Sequence, residues 1–464
     1  MLKKNEIIRA EIESVTNLGF GVARKDGVVI FVSGAVTKDV ADIKIIKTLP
    51  GYAVGRVEKF EKMSPYRTFE RCQNNSCFGC AYKSIIYEEE LKIKKSDVES
   101  AFKKAGIKDA VISEVTPSPK LLNYRNKAQY PITKDKNGEY IIGFYMPKSH
   151  TVKEARCCPL SPVNFPQILD TAAVFFKKHA ISVYDEKTGC GLLRHIYLRR
   201  GEVSGEVLLT LVINGDTLPA SDEFVNVLTK KHKEIVGVLL NINKKNTNVI
   251  LGEKFITLFG RDYIYDTLCG VKLKISAPSF YQVNHDAAEL LYRKARELAN
   301  PKPDDILLDL YCGAGSIGLS MADSGCTLYG IEIIESAVEC AALNASQNGF
   351  SNAKFYAGDA KNSELLLAKA EAALGKKIHP NTVILDPPRA GCDGKLISYV
   401  SSLSPERIVY ISCNPSTLAR DISIFNSLGY KHGDIYPYDL FPATGHVESV
   451  VRLERRLDNE LPLA

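Results

Sequence analysis

The chain has 464 residues, 45% of them apolar and 25% charged, with a formal net charge of +6. That length suggests two or three domains, and the composition suits a globular chain able to bury sizeable cores. The charged start Met1-Leu2-Lys3-Lys4-Asn5-Glu6 is no signal peptide, no apolar run is long enough to span a bilayer, and twelve scattered cysteines do not make a small secreted disulfide scaffold. A cytoplasmic protein is expected. Basic clusters recur at Lys92/Lys94/Lys95, Lys103/Lys104, Arg199/Arg200, Lys230/Lys231/Lys233 and Lys244/Lys245. They suit a polyanionic partner, although solvated helix and strand faces explain them equally well.

Residues 1–60 read as a small all-β unit. Ile7–Val15, Gly27–Val32, Val40–Ile46 and Tyr52–Val57 alternate or are β-branched, with glycines between them. Short strands at that spacing fit a compact barrel of the oligonucleotide-binding kind, or a purely structural β module. Residues 61–275 form the next expected unit. It opens with a loop containing Pro and Cys from Met63 to Cys80, followed by a helix from Glu88 to Lys104. Strands and turns then run over 124–275 (Tyr140–Phe144, His195–Arg200, Glu206–Ile213, Ile235–Asn243), with one helical patch near Phe165–His179.

Over 276–464 helix and strand alternate, which implies a doubly wound α/β domain with a mainly parallel sheet. Its expected strands are Ile306–Cys312, Thr327–Ile333, Ala353–Gly358, Thr382–Asp386 and Arg407–Cys413, with a final pair near Gly433–Tyr438 and His446–Leu453. The first runs into Asp309-Leu-Tyr311-Cys-Gly313-Ala-Gly315-Ser316-Ile-Gly318, whose glycines allow a tight turn and close approach to a ligand. Glu332 ends the second, where a carboxylate can accept both hydroxyls of an adenosine ribose. The same glycine spacing is also a dinucleotide fingerprint, so an NAD- or FAD-linked oxidoreductase is the rival reading.

Later strand ends separate the two. Asp386-Pro387-Pro388-Arg389 and Ser412-Cys413-Asn414-Pro415 fall at the same sheet edge. A methyl-transfer site accounts for both and a hydride-transfer site for neither. The Asp-Pro-Pro step resembles the fourth-strand motif of class I methyltransferases. Amino-group methylases of that class usually place an aromatic residue after the prolines, so Arg389 argues against an exocyclic amine as target. Cys413 lies in a turn before a helix that starts at Ser416, where a thiol pKa is expected to be depressed. A buried strand-end cysteine is the plainer alternative. Glu448, in Phe441-Pro442-Ala-Thr444-Gly-His446-Val447-Glu448, sits in an apolar strand where a carboxylate is costly unless it has a function or a partner. A salt-bridged strand residue is its alternative, and His446 is a less favoured base. Cys72-x4-Cys77-x2-Cys80, with a later Cys157-Cys158-Pro159, looks like a four-cysteine metal site for iron–sulfur or zinc.

Taken in order, Ser279-Phe280-Tyr281-Gln282-Val283-Asn284, the Asp309 turn, Asp386-Pro-Pro-Arg389, Ser412-Cys-Asn-Pro415 and His446-Val-Glu448 resemble the RNA uracil-5-methyltransferase family. Residues 1–59 resemble the TRAM domain carried by its 23S rRNA members. The resemblance implies an S-adenosylmethionine-dependent enzyme of class I methyltransferase fold, with a central α+β domain behind the barrel. Cys413 would be the nucleophile that adds to carbon 6 of the uracil, and Glu448 the base that removes the carbon 5 proton. Gln282, Tyr311 and Glu332 would contact S-adenosylmethionine, and Asp386 would lie between it and the uracil. The resemblance also implies a [4Fe–4S] cluster on Cys72, Cys77, Cys80 and Cys158, with Cys157 competing for the fourth position. Because of the extra barrel the expected substrate is 23S rRNA, with tRNA the alternative.

Overall fold

Along Val40–Leu49 the side chains alternate, with Ala41, Ile43 and Ile45 fully inside. That period of two is what a sheet with one face on a core requires. The computed structural model describes residues 2–456 except 70, 75, 76, 78, 148, 323 and 324. In it six N-terminal strands pair in the order Ile7–Glu11, Val40–Leu49, Tyr52–Lys62, Val28–Ser33, Gly21–Lys25, Ser14–Val15. They curl around Ile12, Ile30, Val32 and Ile43 as a small barrel. The stretch expected as one strand, Ile7–Val15, is broken at Ile12. Its N–H turns to the Asp39 carbonyl at 2.8 Å, so the chain can change partner from Val40–Leu49 to Gly21–Lys25.

A seven-stranded sheet fills the middle of the chain. Its order is Lys254–Gly260, Ile235–Ile242, Val207–Ile213, Leu193–Arg200, Lys127–Lys134, Tyr140–Tyr145, Val152–Glu154. The expected helix near Phe165–His179 forms as Phe165–Lys178 and buries Phe165, Ile168, Leu169, Phe175 and Phe176. A helix at Ser221–Lys231 was not expected. Its apolar stripe is narrow, with only Phe224 and Leu228 buried.

The C-terminal sheet runs Ala353–Ala357, Thr327–Glu332, Ile306–Asp309, Thr382–Leu385, Arg407–Ser412, Glu448–Arg455, Tyr430–His432, with Tyr436–Tyr438 also on Glu448–Arg455. The first five strands are parallel and Glu448–Arg455 returns antiparallel. Both faces are covered. Leu307, Val409 and Ile411 point into one core, and Leu308, Ile408 and Tyr410 into the other. Helix Tyr87–Lys104 lies within 61–275 in sequence, yet its Val98 and Phe102 pack into that second core. Among the described residues no helix is long and apolar enough to cross a membrane.

One buried ionic network joins these parts. Lys94, 1% exposed, donates to Glu90 at 2.7 Å and to Asp439 at 2.6 Å. Arg71 pairs with the other oxygen of Glu90. Removing one member would strand an uncompensated charge, which typically costs about 3–5 kcal/mol. The loop next to Cys72, the long helix and the segment approaching Glu448 are therefore held in one arrangement.

Candidate active site

Five sheet-edge segments build the cleft. After Ile306–Asp309 the chain turns through Gly313 and Gly315, at φ +52° and +83°, before helix Ser316–Met321. Those left-handed conformations favour glycine. Asp309, fully buried, accepts the Gly318 N–H at 3.1 Å and the Tyr311 N–H at 3.4 Å, pinning the turn. Burial lifts its carboxyl to about 7, against the pull of those bonds. Glu332, at the end of the next strand, accepts from Gly313 N–H at 3.1 Å and Ile334 N–H at 2.9 Å. Beside it Ile333 and Ile334 are 65% and 56% exposed. A carboxylate flanked by two uncovered apolar side chains and a glycine turn suits a nucleoside, with the ribose on the acid and the base on the isoleucines.

The expected cofactor contacts do not all stand alike. Gln282 is buried against Tyr292, a residue that sequence reading missed. Tyr292, in helix His285–Ala299, bonds to Ser316 and Gln282 and lies close enough to Asp386 and Asp309 to feel their charge. Tyr311 lies on the glycine turn, but its hydroxyl is against the Cys392 thiol. Cys312 is buried and packs behind the turn, where an added Cβ at Gly330 would lie 2.9 Å from its sulfur.

Across the cleft, strand register sets the geometry. Arg407–Ser412 pairs antiparallel with Glu448–Arg455, and Ser412 faces Ser449. One step further Cys413 therefore comes opposite Glu448, about 5 Å apart between Cα atoms for such a pair. Asp386, immediately after Thr382–Leu385, is close enough to influence both. The loop beyond it is gripped by helix Pro415–Ser427. Asn414 Nδ2 donates to the Arg389 carbonyl at 2.9 Å, Arg420 to the Ala390 carbonyl at 2.9 Å, and Asp421 accepts the Cys392 N–H at 2.8 Å. Asp421 also accepts the Tyr410 hydroxyl at 2.6 Å. Arg389 reaches across the cleft to His446, with Nη2 3.2 Å from Nε2.

Electrostatics overturn one expectation. The helix N-terminus was to depress the Cys413 pKa, but the thiol is pushed up to about 11. Burial is the largest cause, followed by Glu448 and then Asp386, and Arg389 only partly offsets them. Glu448, 5% exposed, is itself raised well above the carboxylate range by burial and by Asp386. Asp386 rises to about 7 through burial and Asp309. Each of these groups disfavours ionisation of its neighbours. His446 is lowered by burial and by Arg389, so it is not a second cation here.

The segment between strands Tyr436–Tyr438 and Glu448–Arg455 is clamped on all sides. Asn284 Nδ2 donates to the Leu440 carbonyl at 3.0 Å, Lys94 to that of Phe441 at 3.2 Å, and the Tyr124 hydroxyl to that of Pro442 at 3.0 Å. Ala443, at φ +68°, gives its N–H to Glu90 at 2.8 Å and accepts from the Tyr82 N–H at 2.9 Å. A groove of about 580 Å³ lined by Glu13, Asn17, Lys92, Ser96 and Lys104 runs between the barrel and helix Tyr87–Lys104 and reaches Ser416.

The cysteines gather elsewhere. Cys72, Cys77, Cys80, Cys157 and Cys158 line one cavity of about 30 Å³. Cys80 feels Cys158, Cys77 and Cys72, and burial pushes its thiol up to about 12. Cys157 is exposed, whereas Cys158 is half-buried. Arg125 stands close enough to Cys80 and Cys158 to counter the effect of burial on both, and its buried Nε has no hydrogen-bond partner. Among the described residues no group of three His, Cys, Asp or Glu is arranged to hold a metal ion.

A glycine turn and a strand-end carboxylate on one side, with Asp-Pro-Pro and a strand-end cysteine on the other, fit the class I methyltransferase fold. The family model of tRNA (Uracil-5-)-methyltransferase matches residues 86–456, and that of the TRAM domain matches 2–57. An uncharacterized RNA methyltransferase of Bacillus cereus is 37% identical over 456 residues, 98% of each chain. One from Streptococcus pyogenes is 38% identical over 455 residues, covering 98% of this chain and 97% of its own. The crystal structure of Pyrococcus abyssi tRNA (uracil-54, C5)-methyltransferase in complex with S-adenosyl-L-homocysteine superposes with a TM-score of 0.76 at 27% identity, over 96% of this chain and all of that one. The chain belongs to the RNA uracil-5-methyltransferase family.

The raised thiol generates a prediction. Alkylation of Cys413 by iodoacetamide, followed by mass spectrometry of its peptide, should be slow at neutral pH. It should climb about tenfold per pH unit until close to pH 11, because only the thiolate reacts. Glu448→Gln removes the second-largest cause and should shift that midpoint downward. A Cys413 midpoint at or below the ordinary thiol value would contradict the charge balance described above.

Proposed function

We propose that this chain methylates carbon 5 of a uridine in 23S rRNA, with Cys413 as nucleophile and Glu448 as base. The observation that carries the mechanism is the register of Ser412 on Ser449, which sets thiol and carboxylate side by side at the sheet edge. Bound S-adenosylmethionine supplies an electrophilic methyl group; Glu332, the glycine turn, Gln282 and Tyr311 would hold it, and Asp386 would lie between it and the base. The Cys413 thiolate forms a bond to uracil carbon 6, and the ring's electron pair moves to carbon 5 and oxygen 4. Carbon 5 then takes the methyl group as the S–CH3 bond breaks, its electron pair staying on a sulfur that would leave as a neutral thioether. Glu448, as carboxylate, removes the carbon 5 proton, and the electron pair of that C–H bond expels the sulfur, restoring the ring and the thiolate. Arg389 is the cation that acts on Cys413 and Glu448 and favours their charged forms. Reacting groups this deeply set suit a base flipped out of its stack.

Mutant phenotypes should split accordingly. Cys413→Ala should lose turnover and covalent adducts together. Glu448→Gln, once alkylated at carbon 5, should stall before elimination and accumulate a denaturant-resistant protein–RNA complex on gels. A complex of that kind from Cys413→Ala would remove Cys413 from the mechanism.

For the cysteine cavity we infer a [4Fe–4S] cluster on Cys72, Cys77, Cys80 and Cys158. The donor set fits. Four thiols with a guanidinium beside them, its Nε unpaired, suit an anionic thiolate cluster better than free thiols. Cys158 is favoured over Cys157 by its burial and its influence on Cys80. Anaerobically purified protein should be brown and contain iron, and Cys158→Ser should bleach it more than Cys157→Ser. Stoichiometric zinc without iron would refute the cluster.

The division into a barrel (1–60), a cysteine-cluster and central RNA-binding part (61–275) and a catalytic part (276–464) fits a cytoplasmic enzyme working on large folded RNA. Bases that proteins read in RNA lie mostly in loops and bulges, which ribosomal RNA supplies in abundance. A tRNA uridine is the second reading. It is favoured by the Pyrococcus tRNA enzyme, whose likeness covers 96% of this chain and so includes the barrel. The deciding assay offers labelled cofactor with protein-free 23S rRNA and unmodified tRNA in parallel. The expected result is labelling of 23S rRNA; labelling of tRNA alone would replace the substrate and leave the uracil chemistry intact.

A further inference from the structure

Tyr263–Leu268 and Val271–Ser276 form a two-stranded sheet of their own, between the central sheet and the catalytic domain. Its faces differ sharply. Ile264, Leu268, Leu273 and Ile275 are buried in the core that also holds Tyr281 and helix His285–Ala299. On the other face Tyr263 and Tyr265 are half-exposed, with ring centroids 5.2 Å apart and planes at 74°. Lys272 Nζ lies 4.3 Å from the Tyr265 centroid and Lys274 Nζ 4.3 Å from that of Tyr263. The Arg261 guanidinium approaches both rings, at 5.2 and 5.4 Å. Arg261 is paired with Glu206, and Asp262 and Glu339 are the other acids at this corner, while Lys272 and Lys274 lie over the rings.

Cross-strand Lys–Tyr contacts of this kind stabilise a ribbon only slightly. The ribbon is already fixed without them. Asp266 accepts the Tyr281 hydroxyl at 2.9 Å, and the Lys272 and Lys274 N–H groups donate to Asn348 and Asn344 at 2.9 and 2.8 Å. Two aromatic faces interleaved with three cations on a rigid support are what a single-stranded nucleic acid recognises, bases on rings and phosphates on cations. The ribbon also leads directly into Phe280 and Gln282, four and six residues beyond Ser276. We propose that this face is a docking platform for a single-stranded stretch of the RNA substrate flanking the target uridine. The lysines leave the rings for phosphates as bases stack on Tyr263 and Tyr265. This deepens the RNA substrate reading without depending on which RNA is methylated.

The test is fluorescence anisotropy of the full-length protein with a labelled, unstructured RNA oligonucleotide of about 12 nucleotides and, in parallel, a blunt RNA duplex. Tyr263→Ala with Tyr265→Ala should weaken the single strand at least about 10-fold and leave the duplex unchanged. The double Tyr→Phe variant, which keeps the rings and controls for folding, should bind like the parent. Lys272→Gln with Lys274→Gln should reduce the slope of log affinity against log salt by about 1.4. Unchanged affinity of the alanine pair, equal loss on duplex, or equal loss in the phenylalanine pair would each overturn the platform. None of these outcomes bears on the 23S rRNA and tRNA labelling assay, which reports the substrate separately.

Discussion

Burying a carboxylic acid one register step from a thiol imposes a charge problem that shapes the rest of the catalytic edge. Glu448, Asp386 and Cys413 each make it harder for the others to ionise, and Arg389 is the cation that opposes them. All three are therefore biased toward their neutral forms. A cationic sulfonium beside Asp386 would add the positive charge that such a cluster lacks. The thiol would then become nucleophilic chiefly when both substrates are present. Such an ordering would keep a half-buried thiol from idle chemistry, at the expense of reactivity in the free enzyme.

Such a cluster needs a rigid frame, since its energetics change steeply with distance in a poorly solvated pocket. The frame is the segment 439–445. It is bound by Asn284 from the cofactor side, Lys94 and Glu90 from the long helix, Tyr124 from the start of the central part and Tyr82 from the cysteine loop. Ala443 sits in the left-handed region, which costs a non-glycine residue about 1–2 kcal/mol. The surrounding bonds over-determine that conformation. Arg71, next to Cys72, closes the chain of contacts through Glu90, so the cysteine cavity and the catalytic edge share one buried ionic network.

Much of this was legible in the sequence because period and strand-end chemistry are local. The five parallel strands fell where alternation with helices put them, and each expected strand ended within a few residues of its motif. What escaped depends on long-range packing. Tyr292 looks like one more apolar helix residue until helix His285–Ala299 lies over the glycine turn. Helix Ser221–Lys231 has too narrow a stripe to announce itself. Tyr87–Lys104 reads correctly as a helix, but no local signal says it packs on a sheet more than 200 residues later in the chain. The Cys413 pKa failed for a related reason. A helix N-terminus is visible in sequence, whereas the burial that dominates, and the two carboxylates that add to it from other strands, come only with tertiary packing.

The barrel illustrates the same dependence from the opposite end of the chain. Thr16 accepts the Tyr82 hydroxyl at 3.2 Å, and a Cβ added to Gly445 would lie 1.7 Å from the Asn17 carbonyl oxygen. The loop between its second and third strands therefore touches the segment that carries His446 and leads to Glu448. A domain that merely tethered RNA from a distance would not need its backbone pressed against a glycine of the catalytic edge. The groove between the barrel and helix Tyr87–Lys104 also reaches Ser416, so the barrel shapes the surface beside this edge as well as the backbone behind it.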